Sequence, residues 1–282
     1  MMTIREAFNY TKQQLEKAGV ADPAFDTMYL FEYVFSITRT DIAVRGDTPA
    51  DEKKLELLKA CIDRRVSGEP VQYIIGEWEF MGRTFKIGDG VLIPRDDTEV
   101  LVRACMELDL SDNASIIDLC SGSGIIAVTL RNHFADSTVY AVEKSDVAYS
   151  YLCKNCELNN ADVKTVHSDL YECVDGFADR SIALIVSNPP YIKADEIPTL
   201  QKEVQFEPKM ALCGGTDGFD FYRGIVEHYA KKLKLGGYIA FEIGEGQFEY
   251  IKELLKNSGF TDIRGYLDLG NTVRALTAVY TP

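Results

Sequence analysis

The stretch "IIDLCSGSGIIAV", Ile116 to Val128, decides the fold. An apolar run passes into Gly122-Ser123-Gly124, and a second apolar run follows. Strand, tight turn and helix is the shortest account of that order. Small residues in the turn let the backbone approach a bound molecule, and the helix start turns N–H groups toward it. Taken alone, the glycines also fit a bare strand-to-helix turn. Outward from here the pattern repeats. Strands are expected at 115–119, 139–143, 165–168, 182–187, 237–243, 263–267 and 273–280, with helices at 125–133, 146–159, 219–234 and 247–257. Only Asp268-Leu269-Gly270-Asn271 separates the last two strands, so they pair antiparallel. Alternation of this kind predicts an α/β fold, a seven-stranded doubly wound sheet with one antiparallel strand.

The rest of the chain differs in character. Residues 1–70 read as a small helical domain: Asp22-Pro23 and Thr48-Pro49 each look like a helix cap followed by proline, and Leu55, Leu58, Ile62 and Val66 recur at helical spacing. Residues 71–93 carry short β-like runs broken by glycines, a hairpin around Met81-Gly82-Arg83 or a plain linker. Residues 94–282 form the α/β domain.

Composition narrows the function. With 46% hydrophobic and 26% charged residues the chain is ordinary for a soluble protein. No signal-like apolar segment opens it, and no apolar run is long enough to span a bilayer, so a cytoplasmic location away from membranes is expected. Forty-four acidic residues against 30 basic give a net charge of −14. The only tight basic pairs, Arg64-Arg65 and Lys231-Lys232, fall on expected helices and read as solvated faces. This disfavours a nucleic-acid partner. The seven cysteines are scattered, and the single CxxC, Cys153 to Cys156, lies inside an expected helix with no second pair. It reads as structural, and no metal is expected.

Strand ends in a sheet of this kind face the binding crevice. Asp118 ends the first strand, where its carboxylate could meet a cofactor's ammonium or water. Glu143 ends the second and could take both hydroxyls of a ribose. Dinucleotide-binding folds share that geometry, so these features do not name the cofactor. The third glycine is absent, Ala127 standing there instead, and S-adenosylmethionine, which carries a ribose but no pyrophosphate, is preferred to a nicotinamide. At the third strand end Asp169 could bind an exocyclic amine and Leu170 flank a flat ring; a plain strand-ending Asp-Leu is as common.

The fourth strand ends in Asn188-Pro189-Pro190-Tyr191. A planar nitrogen is a poor nucleophile because its lone pair is delocalised. The Asn188 side-chain oxygen and the Pro189 carbonyl can accept from such an –NH2 group, with Pro190 fixing where that carbonyl points. Tyr191 offers a face for stacking. Positioning and electrostatics of this kind can carry a methyl transfer without a base held in advance.

"DLCSGSG", "AVEKS" and "VSNPPYI", in this order, resemble class I S-adenosylmethionine-dependent methyltransferases that modify planar nitrogens. "RRVSGEPVQYIIGEWEFMG", "VLIPRDDTEVLV", "EPKMALCGGTDG" and "FEIGEGQ" are similar to the PrmC/HemK family, the glutamine methyltransferases of peptide-chain release factors. The resemblance covers roughly residues 60–282. It implies a Rossmann-like methyltransferase fold and transfer of a methyl group to the glutamine amide of a Gly-Gly-Gln loop. By matched position it implies cofactor contacts from Cys120, Ser121, Gly122, Ser123, Gly124, Glu143, Leu170 and Asn188, a glutamine held by Asn188 to Tyr191, and a release-factor partner docked by residues 1–93. A monomer is expected. The family often has Pro-Glu at Asp96-Asp97, which questions the rigidity of that loop, and often glycine at Cys120, which is small enough to suggest no loss. A ribosomal-protein glutamine or an adenine remains as an alternative substrate for the same motif, a non-catalytic binding module as an alternative class, and a nucleotide-dependent oxidoreductase ranks third.

Overall fold

The computed structural model describes residues 1–282, and the chain divides into two units. Met1–Glu77 with Gln201–Phe206 form the first, and Trp78–Leu200 with Glu207–Pro282 the second.

The first unit contains α1 (Ile4–Lys17), α2 (Pro23–Phe35), α3 (Arg39–Arg45), α4 (Glu52–Val66) and α5 (Val71–Ile75). Thr3 and Glu6 close a capping box on α1, and Asp22 caps α2 with Pro23 at the first helical position. The second expected cap is displaced. Asp51, not Thr48, accepts the N–H of Lys54 at 3.0 Å, so α4 starts at Glu52, and Pro49 forms an isolated bridge with Thr3. A carboxylate three residues downstream is simply the better acceptor for the orphan helix donors. Leu15, Leu30, Phe31, Leu58 and Ile62 meet in one buried cluster. The basic pair on α4 is split. Arg64 meets Glu69 at the surface, whereas Arg65 is buried between Asp26 at 2.5 Å and Glu203 at 2.7 Å. The solvated face expected there is therefore corrected for Arg65: helical spacing turns it to the core side, and two carboxylates make its burial tolerable.

From the last residue of the first stretch, Glu77, onward, β1 (Glu77–Phe80) and β2 (Arg83–Lys86) form a hairpin. Its corner, Met81-Gly82, has positive φ at both residues, matching the twist of the paired strands. The chain continues through α6 (Asp96–Met106), β3 (Ser115–Leu119), α7 (Ile125–His133), β4 (Thr138–Glu143), α8 (Asp146–Leu158), β5 (Val163–His167), β6 (Ile182–Ser187), α9 (Lys209–Leu212), α10 (Asp220–Tyr229), β7 (Leu233–Glu242), α11 (Phe248–Asn257), β8 (Phe260–Leu267) and β9 (Val273–Tyr280). The sheet order is β5-β4-β3-β6-β7-β9-β8, parallel except for β9, which runs against both neighbours. Every position of β6 is buried, as a strand covered on both faces requires. Ile117, Ile185 and Phe241 join Tyr222, Ile225 and Ile251 in one cluster, while Ile116, Leu184 and Val186 join Leu101, Ile126 and Leu152 in another.

Three expectations shift, the first being the sixth strand, which begins at Phe260, not 263. The third strand begins at Val163, not 165. The helix expected to 234 stops at Tyr229, because Leu233 already pairs with Ile182 and opens β7. Lys232 is consequently not on a solvated helix face. It is buried and pairs with Asp179 at 2.8 Å. No helix is long and apolar enough to cross a membrane.

Candidate active site

The order of strands reverses between β3 and β6, and there the carboxyl ends open a crevice. A cavity of about 400 Å³ occupies it, lined by Cys120 to Ser123, Glu143, Asp169, Leu170, Asn188 and Pro190. The structure thus brings the first, second, third and fourth expected strand ends to one place.

The glycine loop is built from local bonds. The Ser121 N–H reaches the Val142 carbonyl at 3.0 Å, and the Gly124 N–H reaches the Ser121 carbonyl at 2.8 Å. Gly124 has φ +84, a conformation that strains any side chain, and a Cβ there would fall 2.5 Å from Leu152 Cδ1, so the tip of Leu152 on α8 would have to shift. Cys120 takes φ +60, a left-handed conformation. What glycine offers at this position is therefore conformation rather than size, and a side chain here costs about 1 kcal/mol. This corrects the expectation of no loss.

Glu143 lines the cavity with its carboxylate held by two backbone donors, Gly122 N–H at 2.8 Å and Ser145 N–H at 2.7 Å. Burial pushes its carboxyl up, and these N–H groups pull the other way. A carboxylate has about four lone-pair sites, so two stay available for a diol. At Asp169 burial also works upward, but Lys144, 2.7 Å away, and the Tyr171 N–H outweigh it and hold the group below its usual range.

Asp118 sits elsewhere. It is 0% exposed and is not part of the cavity lining. Its Oδ2 accepts the Ala127 N–H at 3.1 Å, capping α7 from beneath, and Oδ1 has no partner. Burial pushes its carboxyl up to about 8. The sheet register explains this: Asp118 is flanked by Ala141 and Val186 in the middle of the paired strands, one residue short of the open edge.

At the fourth strand end, Asn188 and Pro190 line the cavity while Pro189 and Tyr191 do not. The Tyr191 hydroxyl donates instead to Glu242 at 3.3 Å, and the Tyr191 carbonyl accepts from Gln247 at 3.0 Å. The face-stacking geometry expected of Tyr191 is not formed by the lining as it stands. The turn is packed tightly from behind: a Cβ on Gly214 would lie 2.7 Å from the Pro190 carbonyl oxygen.

Several residues escaped the sequence reading. Thr98 lines the cavity, donates to Glu242 Oε2 at 2.6 Å, and accepts from Asn188 Nδ2 at 3.3 Å. Glu207, buried, accepts the Ile93 N–H at 3.0 Å and pairs with Arg95. It fixes the Gly90–Pro94 strip that forms one wall, and Pro208 and Met210 beside it line the cavity too. Asn155 of α8 docks the hairpin through Lys86 N–H and C=O and also takes the Ser123 carbonyl at 2.8 Å. The segments "VLIPRDDTEVLV" and "FEIGEGQ" contain Thr98 and Glu242, but nothing local marks them as partners. Asp96, where the family often has proline, occupies the first position of α6, with Asp97 and Glu99 in the same turn. Acidic residues suit a helix start, and Asp97 also meets Arg274 at 3.3 Å.

Comparison with known proteins agrees with this architecture. A family model described as "PrmC N-terminal domain" matches residues 6–76, and one described as "Methyltransferase small domain" matches residues 96–205. The "Release factor glutamine methyltransferase" of Fusobacterium nucleatum is 36% identical over 277 residues, covering 97% of this chain and 78% of the relative. The protein of that name from Clostridium botulinum is 38% identical over 269 residues, covering 94% of each. Among solved structures, a methyltransferase from Pyrococcus furiosus superposes with a TM-score of 0.55 at 18% identity, covering 72% of this chain and 91% of that one, a likeness of fold. On the identity and coverage of those relatives, the chain belongs to the release factor glutamine methyltransferase family.

Proposed function

We propose that the protein transfers a methyl group from S-adenosylmethionine to the side-chain amide nitrogen of the glutamine in the Gly-Gly-Gln loop of a peptide-chain release factor. One observation carries the reading: a single cavity is lined both by Cys120 to Ser123 of the glycine loop with Glu143, Asp169 and Leu170, and by Asn188 and Pro190, while Gly124 of that loop lies outside the lining. The donor set suits the cofactor. Glu143 offers acceptors for a ribose diol, Asp169 an acceptor for an amine, and Leu170 an apolar flank. Asp118, capped onto α7, takes a supporting role in this reading. The cofactor supplies an electrophilic methyl group.

The chain's own residues do the rest. Asn188 Oδ1 accepts from the substrate –NH2, and the carbonyl of Pro189, outside the lining but between the lining residues Asn188 and Pro190, turns to it as the second acceptor, so the nitrogen is aimed without a general base. Tyr191 braces the turn from its far side. Residues 1–93 dock the release factor. The acidic balance, −14 overall, favours a protein over a nucleic acid as partner.

Incubation with S-adenosylmethionine and a release factor, followed by peptide mass spectrometry, tests the reading. One added methyl on the Gly-Gly-Gln glutamine is expected, with the rate lowered at least about 100-fold by Asn188→Ala. Methylation of an adenine, or none anywhere, would sink it.

A further inference from the structure

We infer that Glu242, acting through the Thr98 hydroxyl, fixes the Asn188 side chain so that its amide oxygen is the atom offered to the substrate nitrogen. The inference rests on the function proposed above and adds two positioning residues to it. Glu242 ends β7 and is 1% exposed; Thr98 lies in the first turn of α6 and is equally buried. The argument turns on one proton. A hydroxyl has a single O–H, and an ionised carboxylate can only accept. Glu242 Oε2, 2.6 Å away, therefore claims the Thr98 proton. Thr98 Oγ1 is then left as an acceptor toward Asn188, and at 3.3 Å it selects Nδ2. The two ends of an asparagine amide are nearly the same shape, so hydrogen bonds choose between its orientations. Here they leave Oδ1 for the substrate.

Protonation of Glu242 undoes this choice. A neutral carboxyl can donate to Thr98, which can then donate to Asn188 Oδ1. The flipped amide would present –NH2 to another –NH2. The groups facing Glu242 are Thr98 and Asp97 from α6, Tyr191 from the turn after β6, and Arg274 from β9; Tyr222 of α10 donates to its backbone carbonyl at 2.8 Å. Burial pushes the Glu242 carboxyl up to about 7, Thr98 opposes, Asp97 adds to the rise, and Tyr191 and Arg274 oppose. With a raised value the proton is taken up as pH falls through that point. The rate is therefore full above it and lost below.

Steady-state methylation of a release factor across about pH 6 to 9 reads the relay in wild type, Thr98→Val, Thr98→Ser and Glu242→Gln. Thr98→Val is expected to lower kcat about tenfold or more with KM and cofactor affinity nearly unchanged. Thr98→Ser recovers most of the rate, and Glu242→Gln removes the acid limb of the profile. Unchanged kcat in Thr98→Val, a Thr98→Ser as slow as Thr98→Val, or an acid limb surviving in Glu242→Gln overturns the relay. No transfer by the wild-type protein overturns the functional reading and the relay with it; transfer that Thr98→Val leaves untouched overturns the relay alone.

Discussion

Glu143 and Glu242 both end strands of the same sheet and both are buried, yet different parts of the chain hold them. Glu143 takes backbone N–H groups from Gly122 and Ser145. Glu242 takes side-chain hydroxyls from Thr98, 144 positions away, and Tyr191, 51 away. Backbone donors are present whatever residue occupies the position, so the first carboxylate is held by the fold itself. Side-chain donors exist only while those residues do. The first arrangement makes a robust cradle, and the second makes an adjustable one that can orient Asn188 and respond to pH.

The sharpest way to break this contrast is at Glu143. Its removal takes away a charge-assisted acceptor and frees the glycine loop, so Glu143→Ala is expected to weaken cofactor binding about 100-fold. Isothermal titration with S-adenosylhomocysteine measures it, and a dissociation constant near that of the wild type would mean the cradle is not where the cofactor sits.

A smaller effect separates cradle from support. Asp118 has a folded value raised to about 8, above that of an exposed carboxyl. Its contribution to stability is therefore full at acid pH and lost as pH rises toward 8. Asp118→Asn keeps an acceptor for the Ala127 N–H without a charge to bury. It is expected to melt about 5 °C above the wild type at alkaline pH, with the gap closing toward acid, and to bind cofactor within about threefold of it. A large loss of affinity would move Asp118 back among the cofactor ligands.

The smallest effect sharpens the adjustable side. Asp96 opens the helix turn that carries Thr98, at a position proline suits. Asp96→Pro is expected to add about 0.5 kcal/mol of stability, seen as a slightly higher melting temperature with an unchanged pH profile.

How much was legible follows the same division. The glycine loop, Glu143 and the strand ending in Asn188 announced themselves because each is a local pattern with a fixed period. The doubly wound sheet with one antiparallel strand followed from alternation and the short link at Asp268-Leu269-Gly270-Asn271; the order of its strands came from the structure. The Thr98–Glu242 contact stayed hidden because neither residue has a distinctive neighbour, and only the closing of α6 over β7 and β9 brings them together. Arg65 and Lys232 were misread for a related reason. Their carboxylate partners, Asp26, Glu203 and Asp179, lie far off in sequence, so charge alone suggested solvent. Asp118 was legible as a strand-ending acid but not as a buried one, since a single residue of register decides between edge and interior.

The return segment Gln201–Phe206 has a practical consequence for anyone dissecting the chain. It groups with Met1–Glu77, and its Glu203 is one of the two carboxylates on buried Arg65. A fragment ending at Glu77 would keep Asp26 but strip that guanidinium of its second anion. The chain is laced rather than linked, so no single cut yields both units whole.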